Sequence, residues 1–423
     1  MTESTDILLE RFFDVSLWQE AIEHGDEKYL NFSILREMCK PEVRVAICDA
    51  ISNGRYRILP PHIATVPKDN GGRRTVYVNE DADRVILHIA NNLLMDEFAD
   101  MIHPSCLSYR KGLGCGKIVR DLAKECANIQ RDIIGWKCDL SKYFDSVPME
   151  VIDEIFDTLE ERKGKSALVK MLREYYHSEE YIDKDKTVGR RYMSLRQGCS
   201  VASFLANVVL KDVDERLSSL DGSYVRYSDD MIFIGAEYEK ALGLLEMGIS
   251  DLGLKLNPDK FQYLHKGEWF NFLGFSIREG KVSLSPRRIK RFQHEIEHRT
   301  FRAKKTTVAQ AVKRVQRYLY KGNGEFAWAD QILPYLTERQ DIDTLNNFVM
   351  DCLRAVETGK RHVGGLGFDR YGEHGCIKRG KGRNTKSNRE KTEKHLDSYK
   401  TINCMRNAMR CSHEVYETLV RII

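Results

Sequence analysis

No apolar run in the 423-residue chain approaches the ~20 residues needed to span a bilayer. The beginning, MTESTDILLERFFD, is acidic where a secretory leader needs a basic flank and an apolar centre. The expectation is a cytoplasmic protein with no membrane partner. The 11 cysteines are scattered and include no CxxC pair. In a chain of this length they read as reduced thiols and not as a disulfide framework. His374, Cys376, Cys404, Cys411 and His413 crowd the C-terminal part, but their spacings match no zinc pattern, so they read as dispersed residues. A dominant charge of one sign is also missing. Lys and Arg number 67 against 63 acids, a net charge of +4, so any contact with a polyanion must be local. No internal repeat is visible.

What is present is the composition of a globular protein, 42% hydrophobic and 31% charged, long enough for two or three subdomains. Residues 1 to 56 carry helical apolar spacing, closed by Gly54. HIATVPKDNGGRRTVYV, 62 to 78, predicts two strands around a DNGG turn, and DADRVILHIANNLLMDEFADMI predicts a helix. A glycine-rich loop, SYRKGLGCG, then enters another helix. IIGWKCDL, 133 to 140, predicts a strand that passes through SKYFDSVP into a helix from about 149. One helix is expected over GCSVASFLANVVLKDVDERLSSL and another over YEKALGLLEMGISDLG. LKLNPDKFQYL and EWFNFLGFSIREGKVSLS are strand-like, and the chain from Pro286 is mostly helical until a glycine-rich basic stretch at 359 to 384.

The chemistry starts at YVRYSDDMIFI, an apolar run interrupted by Asp229 and Asp230. An unpartnered carboxylate is costly to bury, so two acids there imply either a solvated hairpin turn, the commoner case, or a bound cation. A second acid-bearing strand end favours the cation. Asp139 closes IIGWKCD. Three clustered carboxylates repel one another unless cations neutralise them, and hard oxygen ligands select Mg²⁺, with Mn²⁺ as a substitute. A pair of such ions stabilises the attacking and leaving oxygens of an in-line phosphoryl transfer, which makes this a candidate nucleotidyl-transfer site.

KCDLSKYFDSVP, LRQGCSVASFLANVVL, YSDD, GLKLNPDK and FLGF resemble the ordered palm motifs of reverse transcriptases. VPKDNGGRRTVYV and IHPSCLSYRKGLG resemble their fingers motifs, so seven blocks fall in family order over about residues 60 to 280. The resemblance implies an α+β, right-hand polymerase with fingers, a ferredoxin-like palm and a helical thumb. It implies an N-terminal helical segment over 1–56, fingers over 57–132, palm over 133–280, thumb over 281–358 and a basic C-terminal region over 359–423.

Site roles follow from the same resemblance. Asp139, Asp229 and Asp230 are the implied metal ligands for two Mg²⁺ ions, with the backbone C=O of Leu140 as a further ligand. Phe144 matches an aromatic steric gate against the ribose 2′-OH, its alternative being an ordinary core aromatic. Asp145 is expected to bond locally. Gln197 and Gly198 match the motif beneath the incoming nucleotide. Lys68 and Arg74 match the residues that grip the triphosphate, with Arg73 as the alternative to Arg74, and Arg110 matches a template or nucleotide contact. Lys260 falls where polymerases place a general acid for the pyrophosphate leaving group, a plain surface lysine being the alternative.

The subgroup is narrowed by departures. RQG stands where group II intron enzymes carry PQG, no nuclease ligand set follows FLGF, and neither the retron thumb signature nor the serine-glutamine motif of diversity-generating enzymes is found. The remaining resemblance is to stand-alone prokaryotic reverse transcriptases of defence systems. These imply dNTPs, a structured noncoding RNA template and a DNA product. Two alternatives stay open: a group II intron-like or retron-like enzyme, and an RNA-binding maturase-like scaffold that does not use its polymerase site. The segment 378–394, KRGKGRNTKSNREKTEK, holds eight basic residues against two acids, and reads either as a solvated tail or as an RNA contact.

Overall fold

The computed structural model describes residues 5–25, 29–67, 72–109, 115–319 and 328–358. Lys68 and Arg110, the 378–394 segment and the C-terminal Cys/His group lie outside the described residues. Two compact units are present, one formed by 1–111 and 135–263, the other by 112–134 and 264–423.

The first unit opens with four helices, α1 (Ile7–Phe12), α2 (Val15–His24), α3 (Phe32–Met38) and α4 (Pro41–Ser52). Short polar side chains start three of them: Asp6, Asp14 and Asn31 each accept a backbone N–H of the first turn. A hairpin of β1 (His62–Pro67) and β2 (Arg73–Val78) follows, in the register Val66 opposite Arg74, and then α5 (Asp81–Glu97). After α6 (Cys115–Asn128) come β3 (Ile133–Asp139), α7 (Tyr143–Ser146), α8 (Met149–Lys163) and α9 (Ala167–His177). A short hairpin of β4 (Glu180–Ile182) and β5 (Val188–Arg190) extends the first sheet to the order β2-β1-β4-β5.

The expected single helix over 198–220 is two, α10 (Val201–Val208) and α11 (Lys211–Ser218). Leu210, at φ −100° and ψ 13°, leaves the helical region between them. α10 is apolar nearly all round and buried on every side except at Ser203, whereas α11 is amphipathic and carries Asp212 and Asp214 in its first turn, where acids suit a helix N-terminus. The break lets each bury its own face. β6 (Ser223–Tyr227) and β7 (Asp230–Ile234) then form a hairpin, and β7 also pairs antiparallel with β3. α12 (Tyr238–Asp251) closes this part of the chain. One apolar core fills the unit, with Phe12, Trp18, Phe98, Phe156, Phe204 and Phe233 fully buried in it.

The strand expected over LKLNPDKFQYL forms only at its end. Pro258 opens a single 3₁₀ turn, Pro258–Lys260, with the Asn257 side chain accepting Asp259 N–H at 3.2 Å, and β8 (Gln262–His265) begins after it. A fixed proline φ and an Asx cap are a stronger local signal than the apolar alternation around them.

In the second unit β9 (Phe270–Phe272), β10 (Phe275–Arg278) and β11 (Lys281–Leu284) form a meander. Leu273–Gly274 turns the first hairpin, with Gly274 at φ +80°, and a Cβ there would fall 2.4 Å from the Arg288 guanidinium. α6 packs on β10 and β11 through Val119, Leu122, Ala123 and Cys126. The helices α13 (Pro286–Arg299), α14 (Val308–Leu319), α15 (Trp328–Gln331) and α16 (Arg339–Thr358) follow. On α14, Ala311, Val315 and Leu319 form the buried stripe and Lys313, Arg314 and Arg317 stand exposed. Among the described residues no helix is long and apolar enough to cross a membrane.

Candidate active site

The two acid-bearing strand ends are neighbours. β3 and β7 pair so that Asp139 lies opposite Asp230, and β6 and β7 pair so that Tyr227 lies opposite Asp230. The hairpin turn is therefore Ser228–Asp229, with Ser228 in the left-handed region at φ +59°, a conformation uncommon for any residue but glycine. Asp139 is buried at 5% exposure, and Asp230 is exposed at the rim. Burial, then the charges of Asp139 and Asp230, raise the Asp229 pKa to about 6.

Lys260 stands against this cluster. Its Nζ donates to Asp139 Oδ2 at 2.5 Å while more than half of its side chain remains in solvent. The backbone beyond it is tied to the same strand end: Asn257 N–H donates to the Asp139 carbonyl at 2.8 Å, its side-chain amide reaches Asp139 Oδ1 at 3.4 Å, and Ser141 N–H donates to the Lys255 carbonyl at 2.8 Å. Leu140 pairs with Leu256 across this bridge. The NPDK turn is thus held at the end of β3, which brings Lys260 to an acid 121 residues away.

The nucleotide-side candidates come from two further elements. Tyr77 of β2 donates its backbone N–H to the Gln197 carbonyl at 2.8 Å, so the RQG loop is clipped to the hairpin that carries Arg74. Gly198, at φ +111°, lies against that strand, and Tyr29 donates its hydroxyl to the Gly198 carbonyl at 3.1 Å. Tyr109 sits within electrostatic reach of both sides. Burial raises its phenol pKa most, the charge of Asp229 adds to the rise, and Arg74 opposes it. Phe144 is half-buried, edge-to-face on Tyr143 at 5.7 Å, and its carbonyl accepts Leu195 N–H at 3.2 Å. Asp145 is exposed.

The donor set fits a hard divalent cation. It consists of the Asp139, Asp229 and Asp230 carboxylates at adjoining strand ends, near enough that the charges of Asp139 and Asp230 add to burial in raising the Asp229 pKa. Among the described residues, no three His, Cys, Asp or Glu side chains converge at ligand spacing. Sequence reading missed Asn257, Tyr109 and the buried pair of Arg226 and Asp214. Arg226 had a signal: alternation on β6 puts it on the same buried face as Tyr224.

Residues 66–277 match the family described as reverse transcriptase (RNA-dependent DNA polymerase). A putative COX1/OXI3 intron 1 protein of Saccharomyces cerevisiae is 24% identical over 184 residues, covering 42% of this chain and 20% of that protein. The chain therefore spans about a fifth of that curated relative. Among solved structures, telomerase from Candida albicans in complex with a telomeric RNA fragment matches with TM-score 0.43 and 11% identity over 75% of this chain and 58% of that one. A partial Cas6-RT-Cas1–Cas2 complex matches with TM-score 0.34 and 18% identity over 57% of this chain and 42% of that one.

Proposed function

Because the chain belongs to the reverse transcriptase family, we propose that it copies RNA into DNA by metal-assisted nucleotidyl transfer at Asp139, Asp229 and Asp230. The observation that carries this reading is the register that sets Asp139 opposite Asp230 with Asp229 in the adjoining turn, its proton affinity raised by burial and by both neighbours. The ligands would be these three carboxylates with the Leu140 carbonyl. Members of the family use divalent ions. Mg²⁺ or Mn²⁺ held here would supply charge stabilisation for the attacking and leaving oxygens.

The chain's own residues do the rest. Lys260, placed on Asp139 by the NPDK turn, is the proton donor for the pyrophosphate leaving group once its carboxylate partner is neutralised. Arg74, together with Lys68, holds the triphosphate, and Arg110 is a template or nucleotide contact. Gln197 and Gly198 form the floor under the nucleotide. On this reading 57–132 are fingers, 133–280 palm and 281–358 thumb, where the exposed Lys313, Arg314 and Arg317 of α14 meet phosphates without reading bases.

Phe144 is the sugar gate. Phe144→Ala is expected to raise rNTP relative to dNTP incorporation by at least about tenfold, as the loss of a steric clash in a binding pocket does. Competition between dNTPs and rNTPs in primer extension measures it, and an unchanged preference would make Phe144 a core aromatic only.

The template is a structured RNA encoded beside the gene, and the cDNA serves antiphage defence. The local excess of basic residues in 378–394 supports an RNA contact there. Neutralising Lys378, Arg379, Lys381 and Arg383 together is expected to weaken RNA binding and to flatten its salt dependence by about one unit of slope for each phosphate left without its cation. Extension of a preformed primer-template should stay near normal. A salt titration of affinity that shows neither change identifies a solvated tail. A second reading, an intron-type RNA-binding role, is supported by the similarity to a yeast intron 1 protein. It requires biological activity to survive Asp229→Ala.

A further inference from the structure

We propose that Arg226 is the positioning residue of the metal-binding turn, fixing Asp229 from beneath through the Ser228 carbonyl. This inference rests on the reading of Asp139 and Asp229 as metal ligands.

Alternation along β6 turns Tyr224 and Arg226 into the core. A guanidinium wholly out of water is tolerated only when its donors are all paired. Here Nε donates to Asp214 Oδ1 at 2.7 Å and Nη2 to Asp214 Oδ2 at 2.5 Å, a bidentate pair with both side chains at 0% exposure. Nη2 also donates to the Asn207 carbonyl at 2.8 Å, and Nη1 to the carbonyls of Ala206 at 3.4 Å and Ser228 at 3.1 Å. Five N–H donors meet five acceptors. Tyr224 adds its hydroxyl to Asp214 Oδ1 at 2.9 Å.

The acceptors come from separate parts of the chain. Ala206 and Asn207 lie at the end of α10, the helix that follows the RQG loop, where free carbonyls favour a cation. Asp214 is on α11. The backbone of Arg226 bonds the stretch before Tyr109: its N–H donates to the Ser105 carbonyl and its carbonyl accepts Leu107 N–H, each at 2.9 Å. Ser108 Oγ and the Asn207 amide group close the same knot at 2.7 and 2.9 Å. Arg226 thereby joins the end of α10, α11, the 105–108 stretch and the acidic turn in one buried network.

Only one of its hydrogen bonds points at the turn, and that bond is the distinctive one. Ser228 holds an uncommon left-handed backbone, and the residue after it is Asp229, in the tight turn whose flanking strand ends pair Tyr227 with Asp230. A non-glycine residue keeps that conformation when its surroundings hold it there, and the Ser228 carbonyl is held from the core. Nη1 is that hold. A lysine at 226 would still place a positive charge beside Asp214, but a point ammonium with three donors cannot reach Asp214, the end of α10 and Ser228 together.

The test uses the full chain without nucleic acid and Mn²⁺ as the probe, following free aqueous Mn²⁺ by electron paramagnetic resonance. Parent, Arg226→Lys, the charge-free double variant Arg226→Met with Asp214→Leu, and Asp229→Asn are compared. The double variant leaves no uncompensated buried charge, so it carries the test if the single one does not fold. Both Arg226 variants are expected to bind Mn²⁺ roughly 10–100-fold more weakly and to raise the half-saturating Mg²⁺ in primer extension to match, with the dNTP KM at saturating metal changed by less than about threefold. A merely structural role would lower the melting temperature and leave metal affinity alone, and parent-like Mn²⁺ binding by a folded Arg226 variant overturns the proposal. Parent-like binding by Asp229→Asn would instead overturn the metal-ligand reading on which it rests.

Discussion

Asp229→Ala is expected to lower primer extension on an RNA template by on the order of 10³-fold, because losing one carboxylate from the proposed two-metal centre would remove several kcal/mol of transition-state stabilisation. The fold itself should gain. Burial and the neighbouring Asp139 and Asp230 oppose the ionised form of Asp229, so the native state carries a repulsion that the unfolded chain does not. In EDTA, Asp229→Asn should therefore melt above the parent while being inactive, an exchange of stability for function common at active sites. Primer extension and a thermal melt on the same preparations check both halves. Near-parent synthesis by Asp229→Ala would show that the chemistry lies elsewhere.

Gly198→Ala is the second large effect, and it acts through backbone alone. A Cβ on Gly198 would stand 2.6 Å from the Tyr77 carbonyl oxygen and 3.3 Å from its nitrogen, at a φ of +111° that side-chain-bearing residues rarely adopt. The obstacle is strand β2, whose Tyr77 N–H also bonds the Gln197 carbonyl, so the loop cannot yield without moving the proposed floor of the nucleotide site. A loss of about 10²-fold in kcat/KM for dNTPs is expected from misplacement on the ångström scale. The strain itself costs about 1–3 kcal/mol of stability. Gly243, within α12, has open space around its Cβ position, and Gly243→Ala should stabilise by up to about 1 kcal/mol without touching synthesis. Comparable activity in the two alanine variants would detach Gly198 from the nucleotide site.

Much of the fold could be read locally. The helices α1 to α5, the hairpin of β1 and β2, strand β3 and the YSDD hairpin follow from apolar period, caps and turn residues, each contained within a few neighbours. The errors fell where a local pattern competed with a distant partner. GCSVASFLANVVLKDVDERLSSL is helical throughout by propensity, yet it breaks at Leu210 because α10 is buried all round while α11 exposes one side and aims Asp214 at Arg226. LKLNPDKFQYL alternates like a strand, yet Pro258 and the Asn257 cap turn it where Lys260 reaches Asp139.

By itself the sequence determined which residues could do the chemistry: two acids breaking an apolar hairpin, a third acid closing another strand, and seven motifs in reverse transcriptase order. Types, spacing and order are properties of a line of residues. Only the tertiary structure decided which carboxylates share a point, because Asp139 meets Asp230 through the β3–β7 register, and a shift of one residue would send that side chain to the other face. It also decided that Arg226 is spent inside the core and Lys260 on the acids. A charged side chain carries no mark of its partner in the sequence; the pairing is set by where burial makes an unpaired charge too costly to keep.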